Sequence, residues 1–564
     1  MVPLSMRPGA VTLGRAPIAG RRGAVACGHQ IAAEIGIDII RKGGSAVDAT
    51  VAAAFASFVV EPKMCGIGGH GRMSVHLADR KLSVGIDHFI RAPRAATPDM
   101  YRDALARWRD AGRGGVEGAI NTTGHLSVGI PGAISGLWEA HRRFGRLAWR
   151  DLVGPAIDLA RAGLAVDTHT TLSIAARAAE IRDFPGAAAL LLPDGLPPRP
   201  PNPSGPQHVF DFSAMARTLE RIADHGAAAF YDGPLAAAID REMRENGGLL
   251  TGADLAAYKP DVFRLPEYEY RGRRYVTAGD LIFVECLNIL EHFDLAGFGH
   301  NSLATCHVIA EALAQAFIDN FAHAADVRHL ASPLDGLASK AFAAAQFGRI
   351  DLDRARRNIA PGDPWPHQPG KTAAPPPPFE GTTQICAADA DGNMASLITS
   401  LGSAFGSLVL VPDTGVFLGN AMQWFEPKPG AANSVAPGRM PLYAAPVVIA
   451  LDGDTAIGAL AGSGGYRIQT AILHAFVNHL DHGLHPQTAM DAPRLHTEGG
   501  VLEIDSRLPD HIGEGLAYLG HRLVRRDGQD MSGGFGRPSA IWRDADGWLI
   551  PASDARAGGV AVLA

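Results

Sequence analysis

The chain has 564 residues, with 51 Lys+Arg against 58 Asp+Glu, a formal net charge of -7, 47% hydrophobic and 19% charged residues. These values are ordinary for a soluble globular enzyme. A weakly acidic balance without basic clusters carries no electrostatic footprint for nucleic acid. The length exceeds one simple core and points to two or more structural units, or to one large interleaved unit.

The segment Met1–Gly28 alternates Pro, Gly and Arg and holds no apolar run of about 7–15 residues, so a secretory h-region is not expected. Ala49–Val60 is apolar but falls short of the roughly 18 residues of a membrane span and stops at Glu61-Pro62. Five cysteines (Cys27, Cys65, Cys286, Cys306, Cys386) lie scattered without a C-x-x-C, so neither a disulfide framework nor a zinc ribbon is indicated. The expectation is a soluble, cytoplasmic protein with no membrane or nucleic-acid partner.

In chain order, Ile31 to Ile40 has apolar residues at helical spacing and stops at Gly43-Gly44. Ser45 and Asp48 form a capping-box pattern that opens a second helix through Val60. Cys65-Gly-Ile-Gly-Gly-His-Gly71 and the alternating strand Met73–Leu77 follow. Ile134 to His329 reads mostly as helices broken by Pro/Gly loops, with a strongly periodic helix over Leu303–Phe321. The four-proline run Pro375–Pro378 is extended and solvated. Directly after it Thr382–Ala388 alternates, Asp391-Gly392 gives a hairpin signal, and Met394–Leu401 returns. A strand-rich stretch is expected to Leu451, then Gly462–Gly465 leading into the helix Ile468–Leu480, then shorter strands. Strands between helices imply a layered, mixed α/β architecture.

Several patterns carry less than they suggest. Gly66, Gly68 and Gly71 satisfy G-x-G-x-x-G, but a helix precedes and a strand follows, the reverse of a dinucleotide site. His479, His482 and His485 straddle a helix end at Gly483 and read as terminal polar residues rather than a metal set. There is no G-x-S-x-G elbow. No metal or cofactor is called for.

The informative stretch is Gly381-Thr382-Thr383 through Asn393 to Ser400, where an exposed loop meets the first residue of a buried strand pair. If the Gly381–Thr382 bond were cut, Thr382 would become an N-terminal residue fixed by the sheet behind it. A threonine hydroxyl is a poor nucleophile alone, but a free α-amine with pKa about 7.7–8 is a base poised near neutral pH. Adjacent threonines at a strand start are equally the mark of plain β-propensity.

The sequence resembles the γ-glutamyltranspeptidase family of N-terminal nucleophile hydrolases over nearly its whole length. The matching motifs run in one order: Gly23–Ala33 and Gly43–Ala49, Glu61-Pro62, Gly66–Gly69, Thr382-Thr383 to Asn393, Phe405-Gly406-Ser407, Gly415 to Asn420, Pro437-Gly438-Arg439, Gly462–Gly465 and Ser553-Asp554-Ala-Arg556. The resemblance implies a four-layer αββα sandwich with antiparallel central sheets. It implies a precursor cut at Gly381-Thr382 into chains 1–381 and 382–564 that stay together as one interleaved heterodimer, any further dimerisation being left open. Thr382 would be the nucleophile and Ser400 the hydroxyl that orients it. Gly464 and Gly465 match the oxyanion-hole glycines; backbone N–H groups at a helix start suit developing negative charge.

The chain departs from that family in the acyl pocket. Phe89 stands where the family has the arginine that binds the γ-glutamyl α-carboxylate, although Arg91 lies two residues on along the same strand face. Tyr443-Ala444 replaces the paired serines, Gly402 an asparagine, and Trp424 an acidic residue. A zwitterionic glutamyl head would lose its charge partners beside aromatic rings, at a cost of several kcal/mol. The expected function is therefore a self-processing threonine amidohydrolase acting on a small amide whose acyl group is not γ-glutamyl. The alternatives are an authentic glutathione γ-glutamyltransferase or hydrolase, and an unprocessed, non-catalytic homologue.

Overall fold

The computed structural model describes residues 15–105, 116–202, 205–278, 280–369, 382–442, 445–526 and 534–564. Two antiparallel sheets face each other between helical layers. The strands that build them are β1 (Gly23–Cys27), β2 (His70–Leu77), β3 (Leu82–His88), β4 (Asp261–Arg264), β5 (Glu267–Tyr270), β6 (Arg273–Thr277), β7 (Thr383–Asp389) and β8 (Met394–Ser400). They continue with β9 (Val448–Asp452), β10 (Thr455–Ser463), β11 (Arg537–Arg543), β12 (Leu549–Ser553) and β13 (Val560–Leu563). The seven-stranded sheet runs β13-β1-β7-β8-β2-β3-β4 and the six-stranded sheet β12-β11-β10-β9-β6-β5.

The outer layers are α1 (Gln30–Arg41) and α2 (Ala46–Val60) on the first sheet, and α3 (Leu281–Leu290), α4 (Leu303–His323) and α5 (Arg467–Leu480) on the second side. The four-layer expectation therefore holds. Ser45 and Asp48 form the expected capping box of α2, and all of α2 is buried. Small side chains make that possible: Ala is the best helix former and lets α1, the sheet and the helix Trp149–Ala162 close in on every side. One apolar cluster fills the space between the sheets and under α3, α4 and α5; a second lies under α1 and α2.

Both sheets draw strands from each side of the Gly381–Thr382 bond: β1–β4 with β7, β8 and β13 in one, β5 and β6 with β9–β12 in the other. No division of the chain there could separate the halves without tearing both sheets. Among the described residues no helix is long and apolar enough to cross a membrane.

Two expectations need correction. Among its helices the middle of the chain contains β4 to β6 and the two-residue strands Leu164–Ala165 and Val209–Phe210; Glu-Tyr-Glu-Tyr and Arg-Arg-Tyr-Val-Thr alternate and extend the six-stranded sheet. The stretch after Leu401, read as strand-rich, is mostly turns; its described regular strands before β9 are only Leu410–Val411 and Val416–Phe417. Left-handed backbone at Gly402, Phe405, Gly406, Leu408, Asp413 and Gly415 breaks up any longer strand there.

Candidate active site

Strand β7 pairs with β8 in a register that sets Thr383 opposite Thr399. Thr382 is the residue just before β7, and Ser400, the last residue of β8, pairs on its other side with His70 of β2. Strand alternation then divides the neighbouring threonines between the two faces of the sheet. Gln384 donates from Nε2 to Ser539 Oγ across the sheet interface at 3.2 Å, and Ser396 Oγ donates to Leu460 O at 2.6 Å. Thr382 and Ser400, each an even step from those residues, look into the same interface. Thr382 is fully buried and its Oγ1 has no hydrogen-bond partner among the described residues. Gly381, the other side of the expected cleavage bond, lies outside the described residues.

Ser400 Oγ accepts a hydrogen bond from Gly402 N at 2.9 Å. The glycine run before β2 lets the loop reach this point: a Cβ at Gly69 would fall 2.2 Å from Ser400 O, and one at Gly71 2.2 Å from Ile398 O. The G-x-G-x-x-G pattern is thus a close-approach device behind the strand pair.

Thr383 points the other way. Its Oγ1 donates to Glu61 Oε2 at 2.7 Å, both residues being buried. Gly28 closes over this pair, since a Cβ there would lie 2.6 Å from Thr383 Oγ1 and 2.9 Å from Glu61 Oε1. In the sequence Glu61 stands out only as part of Glu61-Pro62. Its signal was an acidic residue ending an otherwise apolar helix.

The loop that joins β10 to α5 carries Gly464 and Gly465, with φ of 121° and 71°. Neither amide has a hydrogen-bond acceptor among the described residues, so two adjacent N–H donors stand open just ahead of α5. A Cβ at Gly464 would sit 2.9 Å from Gly536 Cα. Gly536 is in turn held by Arg494, whose Nη1 donates to its carbonyl at 2.7 Å and whose Nη2 pairs with Asp554 at 2.8 Å. Asp554 also binds Arg556 at 2.6 Å, which accounts for the Ser553–Arg556 motif as the brace under this loop.

The described residues expected to receive the acyl group include two buried aromatic rings. Phe89 is fully buried, edge-on to His70 with centroids 4.4 Å apart, and its carbonyl accepts from Tyr258 Oη at 2.7 Å. Burial, reinforced by His88, holds the His70 imidazole well below its usual range, so the group beside Phe89 is neutral. Trp424 is buried and lies edge-on to Tyr466, the residue after the paired glycines, with centroids 5.9 Å apart. Phe89, Trp424 and Tyr466 belong to one apolar cluster. The sequence pattern does not mark Tyr466 beyond its place directly after Gly465.

Arg91 is not available as a substitute for the missing arginine: its Nη2 pairs with Asp261 at 2.9 Å, and Arg328 shares the same carboxylate at 3.0 Å. At Gly402 a Cβ would come within 1.7 Å of Asn420 Oδ1, and the residue has φ 107°, so no asparagine fits there. Asn420 fills the space instead, accepting from Ser403 N at 2.9 Å and from Gln423 Nε2 at 2.8 Å. Tyr443 and Ala444 lie outside the described residues.

The His479/His485 pair has structural work: His479 Nδ1 bonds Leu484 O at 2.8 Å, and His485 caps the helix Pro486–Asp491. Among the described residues one group, His307, Glu311 and His521, brings potential metal ligands within 4.8 Å of one another. Its atoms already serve each other: His307 bonds His521 and Asp351 O, both at 2.8 Å, and Arg356 holds Glu311 at 2.6 Å.

Comparison with known proteins gives a consistent picture. The family model described as Gamma-glutamyltranspeptidase matches residues 32–564. The Acylase ACY 1 proenzyme of Pseudomonas sp. (strain SE83) is 35% identical over 559 residues, covering 98% of this chain and 95% of the relative. The Glutathione hydrolase proenzyme of Bacillus subtilis (strain 168) is 30% identical over 516 residues, covering 89% and 86%. Among solved structures, cephalosporin acylase from Bacillus halodurans superposes with a TM-score of 0.86 at 27% identity over 99% of both chains.

Proposed function

The chain belongs to the γ-glutamyltranspeptidase family and is an N-terminal nucleophile enzyme of amide-bond chemistry, and on that premise we propose which residues act and what they accept. Thr382 Oγ1 attacks the carbonyl of Gly381; the amide becomes an ester, and water hydrolyses it. The products are chains 1–381 and 382–564, held together by the shared sheets. Two relatives described as proenzymes support this step.

In the cut enzyme the Thr382 α-amine takes the proton of its own hydroxyl as the oxygen attacks the substrate's amide carbonyl. The oxyanion that develops is met by the amides of Gly464 and Gly465, donors fixed before the reaction and worth roughly 2.7–4 kcal/mol each. The α-ammonium then protonates the leaving amine, and water releases the acyl group by the reverse proton path. Ser400 orients the nucleophile. Because Gly402 N–H already donates to Ser400 Oγ, the serine's own proton is left to donate toward Thr382.

The acyl group is not γ-glutamyl. The observation that carries this is the engagement of Arg91 by Asp261 while buried Phe89 stands at the family's arginine position. A glutamyl head placed there would meet rings and a neutral imidazole. The acylase relative and the cephalosporin acylase neighbour support an acylase reading, with β-lactam side-chain amides as first candidates.

The test is incubation of the purified protein with a panel of amides, including a β-lactam with an amide side chain and a γ-glutamyl anilide. Mass spectrometry of the Thr382 peptide then identifies the acyl group trapped on it. Preferred turnover of the γ-glutamyl anilide would return the protein to the glutathione hydrolases.

A further inference from the structure

Arg537 opens β11 and pairs in register with Ser463, the residue before the open Gly464 and Gly465 amides. It lies two residues before Ser539 and therefore shares that residue's strand face. Ser539 accepts from Gln384, itself two residues after Thr382. The same step back along each strand brings Arg537 to the end of the sheet interface where Thr382 and Ser400 look in.

Other arginines placed near the sheet interface or the glycine loop are already paired. Arg72 binds Asp87, Arg91 binds Asp261, Arg494 binds Asp554, and Arg556 binds Asp554 and Asp505. Arg537 is half-buried, its Nε is wholly buried without a partner, and none of its nitrogens bonds or pairs with a described residue. The nearest acids act on it only at range: Glu61 is committed to Thr383, and Asp554 to Arg494 and Arg556. A guanidinium drawn partly out of water with no carboxylate in direct contact is costly, and its planar fork fits a carboxylate.

We propose that Arg537 anchors a carboxylate carried by the substrate, so that the preferred amides are anionic. This rests on the reading of Thr382 as nucleophile. It restores on β11 the anion anchor that Phe89 removes from the end of β3, but to a different part of the substrate. The carboxylate sits on the acyl group or on the amine, and the experiment separates the two.

Wild-type, Arg537→Gln and Arg537→Lys proteins, each checked by intact mass for cleavage before Thr382, are assayed on two matched pairs. The first is the p-nitroanilide of adipic monoacid against that of hexanoic acid; the second is phenylacetyl-glycine against its methylamide. The wild type should favour the charged member of one pair by roughly tenfold or more in kcat/KM, mainly through KM. Arg537→Gln should abolish that preference while the neutral member keeps its rate, and Arg537→Lys should restore part of it. The pair that responds identifies the acyl or the amine side. No charged preference in the wild type, or equal loss on charged and neutral members in Arg537→Gln, overturns the proposal. Should neither variant mature, the wild-type comparison alone decides. Turnover by Thr382→Ala would instead sink the nucleophile reading.

Discussion

Replacing Gly464 by alanine attacks the proposed oxyanion hole at one of its two donors. The residue has φ 121°, a conformation that L side chains rarely adopt, and the new Cβ would stand 2.9 Å from Gly536 Cα and 3.5 Å from Gly536 N. Both neighbours are backbone, pinned by Arg494 at 2.7 Å, so they cannot swing aside as a side-chain tip would. Relief requires the Gly464 peptide to rotate, which turns its N–H away. Loss of one oxyanion donor lowers kcat by about 10²–10³, equivalent to about 2.7–4 kcal/mol. Strained backbone at such a residue adds about 1–3 kcal/mol of lost stability. The assay is steady-state kcat on whichever amide the wild type turns over, with the melting temperature and the intact mass measured on the same samples. Self-processing should slow as well, since the same amides would face the oxyanion formed at Gly381. A folded Gly464→Ala protein with kcat within about twofold of wild type would refute the assignment, because a donor of that kind is worth at least a hundredfold.

Other outcomes follow from the same geometry. Ser400→Ala should lower kcat roughly tenfold, the worth of a hydrogen bond of about 1.4 kcal/mol, with KM little changed; steady-state kinetics would show a KM effect instead if Ser400 bound substrate. Thr383→Val leaves the buried Glu61 carboxylate without its partner and should cost about 1–3 kcal/mol in urea unfolding while slowing chain cleavage. Burial pushes the Asp280 carboxyl, the cap of α3, up to about 7. Its raised native pKa means the unfolded chain ionises first, so stability falls as pH rises from about 4 to about 7 and then levels off. Asp280→Asn keeps a capping side chain without the titration, so its advantage over wild type should grow across that window by up to about 4 kcal/mol; urea melts at pH 4 and pH 8 that differ from wild type by the same amount would exclude this.

What the sequence reveals depends on how local the physics is. Ser45 with Asp48, the Asp391-Gly392 hairpin and the alternation after Thr382 are decided by neighbours within a few residues, and each is where the pattern put it. The turn-rich stretch after Leu401 misleads because its apolar residues pack through left-handed turns rather than along strands. The acyl pocket is harder still. Whether Arg91 is free depends on Asp261, 170 residues away in sequence, and whether Gly402 tolerates a side chain depends on Asn420. Arg537 attracts no notice in the sequence, because what distinguishes it is a direct partner that the fold does not supply.

The central claim is tested most directly by the intact mass and N-terminal sequence of the purified protein, taken alongside the Thr382→Ala variant. The account predicts two polypeptides, the smaller beginning Thr382-Thr383-Gln384, for the wild type, and a single inactive chain for the variant. An uncut wild-type chain that still hydrolyses its amide, or a Thr382→Ala protein that matures and turns over, would contradict it.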